Sequence, residues 1–242
     1  MTKTPLRRII PAIDESGANN HRVYGRRLGR PLRGARMEAI DELLPRLQIP
    51  LESATEKATL DPTTLFSAPY KELWFEIGFG NGEHLAALME RAPENAFIGA
   101  EPFINGMSAF LKDIHHKPHN NLRVWMEDAL QIADSLIDGC IDGIYVLNPD
   151  PWPKARHHKR RIISQTNLTK FARIMKPVST LTMATDVDDL ADWMREQSLA
   201  HPSFKCVLDT RETPSDWIPT RYEQKGARAG RRQTYMVFER KA

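Results

Sequence analysis

Three glycines spaced two apart sit in Glu76-Ile77-Gly78-Phe79-Gly80-Asn81-Gly82-Glu83, directly after a short apolar run. Glycine accepts positive φ and presents no side chain, so such a turn lets backbone approach a ligand closely. A simple tight turn is the plain alternative. The spacing of Gly78, Gly80 and Gly82 is G-x-G-x-G, not the G-x-G-x-x-G with which dinucleotide folds receive a pyrophosphate. A ligand without phosphates suits it better.

Two further acids follow the next apolar runs. Glu101 stands nineteen residues after Gly82, where a carboxylate can accept both hydroxyls of a ribose. Asp128, within Glu127-Asp128-Ala129, can accept from an adenine amino group. Each acid alone reads equally as a surface charge or helix cap, Asp128 as the cap of the helix after it. Their joint order behind the glycine turn points to an adenosyl ligand with an amino-acid tail and a sulfonium, S-adenosyl-L-methionine (SAM).

A fourth acid is held differently. In Asn148-Pro149-Asp150-Pro151-Trp152-Pro153-Lys154, three prolines in five residues impose a rigid, non-helical backbone around Asp150. Trp152 offers a flat face, for a purine or for packing. The basic run Lys154-Ala155-Arg156-His157-His158-Lys159-Arg160-Arg161 follows at once, and seven of its eight side chains can donate to phosphate. A proline-rich loop before a basic helix start is the ordinary reading of such a stretch. Contiguity with the expected ligand edge favours contact with the phosphates of a nucleic acid by Arg156, His157, His158, Lys159, Arg160 and Arg161.

These residues need elements to hold them. From Leu73 onward short apolar runs alternate with helical patterns. The spacing predicts strands over 73–77, 96–99, 122–126, 143–147 and 180–184, then two more over 204–208 and 234–239. Helices are predicted over 83–91, 104–115, 129–136, 164–175 and 189–201. The alternation implies an α/β fold with a doubly wound, mostly parallel seven-stranded sheet, whose ligands lie outside the strands' carboxyl ends. Ahead of it, Met37, Ile40, Leu43, Leu44 and Leu47 predict an amphipathic helix from about Arg36, interrupted near Pro45. Residues 49–70 read as a connecting loop. Residues 1–35 read as a flexible basic arm, leaving 36–242 as the single domain.

The formal net charge of +3 does not by itself announce a polyanion ligand, but its distribution does. Arg7, Arg8, Arg22, Arg26, Arg27, Arg30, Arg33 and Arg36 crowd the N-terminal stretch, and a third cluster runs from Arg221 to Arg232. Arg7 and Arg8 are not followed by the apolar run of a secretory signal, and no stretch approaches the length of a membrane span. With Cys140 and Cys206 as the only cysteines, the expected setting is a reducing cytoplasm. His115, His116 and His119 lack a carboxylate or cysteine pattern beside them, so no metal is expected there. Monomer and homodimer both remain open.

The sequence resembles the bacterial tRNA (guanine-N7)-methyltransferase family. The resemblance is carried by Glu-Ile-Gly-Phe-Gly-Asn-Gly at 76–82, Phe-Ile-Gly-Ala-Glu at 97–101, Asn-Leu-Arg at 121–123 with Asp128-Ala129, and Asp-Pro-Trp-Pro-Lys at 150–154. His-His-Lys-Arg-Arg at 157–161, Ala-Thr-Asp at 184–186 and Thr-Arg-Tyr-Glu at 220–223 extend it. The pairing of Asp-Pro-Trp-Pro-Lys with His-Lys-Arg-Arg is its most specific part. Asn148, where many relatives carry an apolar residue, and Lys176-Pro177-Val178-Ser179, without the usual glycines, depart from the pattern.

The resemblance implies a Rossmann-like SAM-dependent methyltransferase fold, with Glu76, Glu101, Asp128 and Asp150 lining the SAM site and Asp150 as the active-site residue. It implies that Lys154, Asp186, Thr220, Arg221, Tyr222 and Glu223 meet tRNA, whose variable loop supplies the guanosine. Guanine N7 has an in-plane lone pair and no proton, so the transfer needs positioning and tolerance of a cationic product more than a base. Asp150 and Glu223 are the first candidates to accept from guanine N1–H and its amino group, with Trp152 or Tyr222 stacking on the extruded base.

Three competitors remain. An exocyclic-amino methyltransferase would use an Asn/Asp-Pro-Pro-aromatic motif, but here Asp150 separates the prolines. A non-catalytic RNA-binding module would not need the full set of acids and glycines. A nicotinamide-dependent dehydrogenase would want the other glycine spacing.

Overall fold

The computed structural model describes residues 24–25, 27–54 and 57–242. Arg7, Arg8, Arg22 and Arg26 of the expected arm lie outside these. The sheet has seven strands in the order β3-β2-β1-β4-β5-β7-β6. They are β1 (Leu73–Ile77), β2 (Ala96–Ala100), β3 (Leu122–Trp125), β4 (Ile141–Leu147), β5 (Met175–Thr185), β6 (Phe204–Thr210) and β7 (Thr234–Arg240). The first five are parallel; β7 runs antiparallel between β5 and β6.

The strands alternate faces, and each face has its own core. On β2, Phe97 belongs to the cluster shared with the first three helices, while the next residue, Ile98, belongs to the cluster on the other side. The first face carries α1 (Ala35–Leu47), α2 (Glu83–Arg91) and α3 (Ile104–Ile114); the second carries α4 (Ala129–Ser135), α5 (Gln165–Ile174) and α6 (Asp188–Ala200). Among the described residues no helix is long and apolar enough to cross a membrane.

Four expectations need correction. The first helix is not interrupted at Pro45, which sits inside α1. Pro45 and Asp41 both face solvent, so water can take the Asp41 carbonyl that the missing N–H leaves unpaired. Burial of Ile40, Leu43, Leu44 and Leu47 holds the helix down, each contributing about 1.5–3 kcal/mol. The loop over 49–70 contains two short 3₁₀ turns, Leu51–Ala54 and Pro62–Leu65, the second capped by Asp61.

The fifth strand starts five residues early, at Met175, so α5 stops at Ile174. Met175 pairs with Ile141 and Thr180 with Gly143, which leaves Lys176–Ser179 as a wide bulge with Val178 at φ +67°. Finally, an eight-residue helix, α7 (Arg221–Arg228), is not predicted by the pattern at all. Its signal was the capping box Thr220-x-x-Glu223, but no apolar stripe follows it.

Candidate active site

All three glycines of the first turn take positive φ: Gly78 at 72°, Gly80 at 61° and Gly82 at 78°. At Gly82 a Cβ would also lie 2.2 Å from the Phe110 ring, so no other residue fits without moving α3. Alternate positions of the turn are thereby bare backbone, and it hands over to α2.

The sheet order places the four acids on consecutive strand tips, Asp128 after β3, Glu101 after β2, Glu76 near the end of β1 and Asp150 beyond β4. Glu101 is buried, and its two oxygens accept from Gly80 N at 2.8 Å and Phe103 N at 2.8 Å. Burial pushes its carboxyl up to about 7; the two amides oppose the shift, and the nearby charges of Asp150 and Glu76 add to it. Glu76 is also buried and pairs with His84, Nδ1 to Oε2 at 2.8 Å. Asp128 caps α4 through Leu130 N at 3.0 Å, the plainer of the two roles open to it.

Asp150 takes no hydrogen bond or ion pair among the described residues, and partial loss of water raises its carboxyl. The loop that carries it begins and ends in the left-handed region, Asn148 at φ 48° and Trp152 at φ 42°. Strain of this kind persists only where surrounding contacts hold it, and here they are visible. Asn148 donates to Thr220 Oγ1 at 3.2 Å and accepts from Gln233 Nε2 at 2.9 Å. The residue that departs from the family pattern therefore ties the loop to the start of α7.

The basic run after the loop divides. Residues Ala155–Arg160 form a 3₁₀ turn that follows the exposed Lys154; in it Arg156 and Lys159 are exposed and His157 and His158 half-buried. The Arg160 guanidinium lies over both Tyr24 and Trp152, at 4.7 and 5.0 Å from the ring centroids. Arg161 corrects the expectation of a phosphate ligand. It is 2% exposed, donates to the Pro151 carbonyl at 2.9 Å and pairs with Asp189, so it braces the loop from inside.

On the far side, Tyr222 is exposed and its ring lies 3.4 Å from where a Gly80 Cβ would be, which brings α7 against the glycine turn. Thr220 caps α7 and Arg221 points to solvent. Glu223 is more engaged than a free base acceptor, taking hydrogen bonds from Trp217 Nε1 at 2.8 Å and from the Tyr235 hydroxyl. Asp186 pairs with Arg231 at 2.7 Å.

Sequence reasoning missed four contributors. His84 and Trp217 are visible only as an isolated histidine and tryptophan until the fold supplies their partners. Tyr24 and Gly25 lie in the stretch read as arm, yet Tyr24 packs edge-on to Trp152 at 6.3 Å and a Gly25 Cβ would lie 3.3 Å from Asp150 Oδ2. With Leu32 buried and Arg27 paired to Glu127, the packed body reaches back to Tyr24.

Comparisons with known proteins bear on the fold and the family. Residues 70–236 match a protein-family model described as a methyltransferase. A tRNA (guanine-N(7)-)-methyltransferase of Rhodospirillum rubrum is 42% identical over 95% of this chain and 91% of its own. One of Brucella anthropi is 42% identical over 93% of this chain and 96% of its own. Among solved structures, the 16S rRNA methyltransferase KamB superposes with a TM-score of 0.56 at 13% identity, covering 72% of this chain and 90% of that one. A 16S rRNA (adenine(1408)-N(1))-methyltransferase from Catenulisporales acidiphilia, solved with its cosubstrate SAM, gives 0.52 at 14% identity, over 76% and 92% of the two chains. Those two likenesses establish the fold; the identity to the first two, sustained over nine-tenths of each chain, establishes that this protein belongs to the tRNA (guanine-N7)-methyltransferase family.

Proposed function

We propose that the protein transfers a methyl group from SAM to N7 of a guanosine in the variable loop of tRNA. The observation that carries this reading is the run of acids on four neighbouring strand tips, Asp128, Glu101, Glu76 and Asp150, around a turn with glycine at every second position. SAM supplies an electrophilic methyl on a sulfonium.

The residues fit such a ligand. Glu76 Oε1 takes no hydrogen bond among the described residues, so it can accept from an ammonium group. Glu101 is placed for ribose hydroxyls and Asp128 for an adenine amino group. Carboxylates also suit a cationic ligand electrostatically.

Asp150, without a hydrogen-bond or ion-pair partner among the described residues, is the acceptor for guanine N1–H and its amino group, and it offsets the positive charge that grows on the purine. Glu223, already held by Trp217 and Tyr235, shapes the wall beside it. Tyr222 or Trp152 receives the face of the base once it leaves its stack. The phosphate backbone meets Lys154, Arg156 and Lys159 on one side and Arg221, Lys225, Arg228 and Arg232 on the other, all exposed.

The test is incubation with unmodified tRNA transcripts and methyl-labelled SAM, followed by mapping of the labelled nucleoside. N7-methylguanosine in the variable loop is the expected product. Label on an exocyclic amino group would transfer the protein to the competing class, and absence of label would leave only RNA binding.

A further inference from the structure

His84 occupies the second position of α2, on the face that buries Leu85 and Met89, and is 4% exposed. A polar ring in that position must be hydrogen-bonded or it destabilises the fold. Its partner is the equally buried Glu76, Nδ1 to Oε2 at 2.8 Å. An ionised carboxylate only accepts, so Nδ1 carries the proton and donates.

The ring is confined as well as paired. It meets Tyr145 edge-on at 4.7 Å and lies 6.3 Å from Trp217, whose own indole N–H donates to Glu223. His84 thus stands between the carboxylate on the cofactor side and the wall on the tRNA side. Donation to Oε2 fixes the carboxylate plane, which leaves Oε1 as the oxygen without a hydrogen bond among the described residues.

We propose that His84 is a positioning residue, which by donating to Glu76 Oε2 aims the other oxygen at the amino-acid tail of SAM. This rests on the reading of Glu76 as a SAM ligand given above. A buried pair that only holds α2 against β1 would make a different set of predictions.

The experiment uses the full chain, with S-adenosylhomocysteine binding followed by calorimetry, steady-state methyl transfer to tRNA transcripts, and thermal unfolding of every variant. His84→Phe keeps the ring volume and loses the donor. His84→Asn keeps a side-chain N–H near the position of Nδ1. His84→Phe is expected to raise the Kd for S-adenosylhomocysteine and the KM for SAM by about 10- to 100-fold, the usual scale for a hydrogen bond to a charged group. The KM for tRNA and kcat at saturating SAM should stay within about 3-fold, and His84→Asn should recover most of the loss. In a Glu76→Gln background, His84→Phe should add little.

If His84→Phe does not fold, His84→Ala takes its place, with recovery of binding by added imidazole as the expected result. Wild-type-like binding by His84→Phe, equal impairment of His84→Asn, additive losses with Glu76→Gln, or no recovery by imidazole each overturns the proposal. If the wild-type chain itself fails to bind S-adenosylhomocysteine, the reading of the whole site falls, and His84 with it.

Discussion

The Gly80 amide donates to Glu101 Oε2 at 2.8 Å, so the middle of the glycine turn hangs on the acid that ends the neighbouring strand. The same carboxyl accepts from Phe103 N at the start of α3 and is largely removed from water. One side chain therefore sets the gap between the turn, the second strand tip and α3, and its charge state matters to all three.

That charge state yields a pH prediction. The Glu101 carboxyl titrates near 7 in the folded protein against 4.5 ordinarily, so between these values the folded state holds a proton that the unfolded chain has released. Its contribution to stability is fullest below 4.5 and is lost as pH rises through 7. Denaturant titrations from pH 5 to 8 should show wild type losing stability relative to Glu101→Gln. Ribose hydroxyls donate to the ionised form, so S-adenosylhomocysteine affinity should fall toward 10-fold per pH unit below 7 and level off above it. A flat profile in both measurements would remove Glu101 from the ligand.

Asp150 should separate chemistry from binding. Asp150→Asn keeps its shape and the strained loop but loses the charge proposed to balance the methylated purine. Single-turnover transfer should slow by about 100-fold or more, with S-adenosylhomocysteine affinity within about 5-fold. Full turnover in the variant would leave Asp150 without a part in the transfer.

Two neighbours in the basic run should behave in opposite ways. Lys159→Ala should leave stability within about 0.5 kcal/mol and lower the salt slope of tRNA binding by roughly 0.7–0.9, the share of one phosphate contact. Arg161→Ala removes the buried brace on Pro151 and Asp189, and should cost about 2–3 kcal/mol of stability. Thermal unfolding and salt-dependent binding read the two effects separately; equal behaviour of the two variants would contradict the division.

Val178 offers a stabilising change. It is β-branched, exposed, and held at φ +67°, where only glycine sits without strain. Val178→Gly should gain about 1 kcal/mol and raise Tm by about 2–4 °C, with methyl transfer unchanged. A lower Tm would show that the bulge favours the valine.

Particular residues show which parts of this architecture were legible beforehand. The bounds of α2 could be read because Gly82 opens it and Ala92-Pro93 closes it around a clear apolar stripe. The seven strands were readable as buried apolar runs, and the acids by their place after them. The sequence was silent where the signal is tertiary. Lys176-Pro177-Val178-Ser179 looks like a turn because its pairing depends on Ile141 and Gly143 across the ladder. Helix α7 buries only Gly226, so no period marked it. Within eight consecutive positions from Lys154 to Arg161, charge alone could not tell that Arg161 turns inward. His84 gained a meaning only when the sheet brought it onto Glu76.

The most direct test of the account is a crystal structure of the full chain with S-adenosylhomocysteine. The account predicts the ligand across the carboxyl ends of the four strands, with its amino-acid tail at Glu76, its ribose at Glu101 and its adenine at Asp128, beside Asp150. The chain offers an alternative at the opposite end of the sheet, a cavity of about 530 Å³ lined by Phe66, Tyr70, Met89 and Ile114. Density for the adenosyl group there, or anywhere away from those four acids, would contradict it.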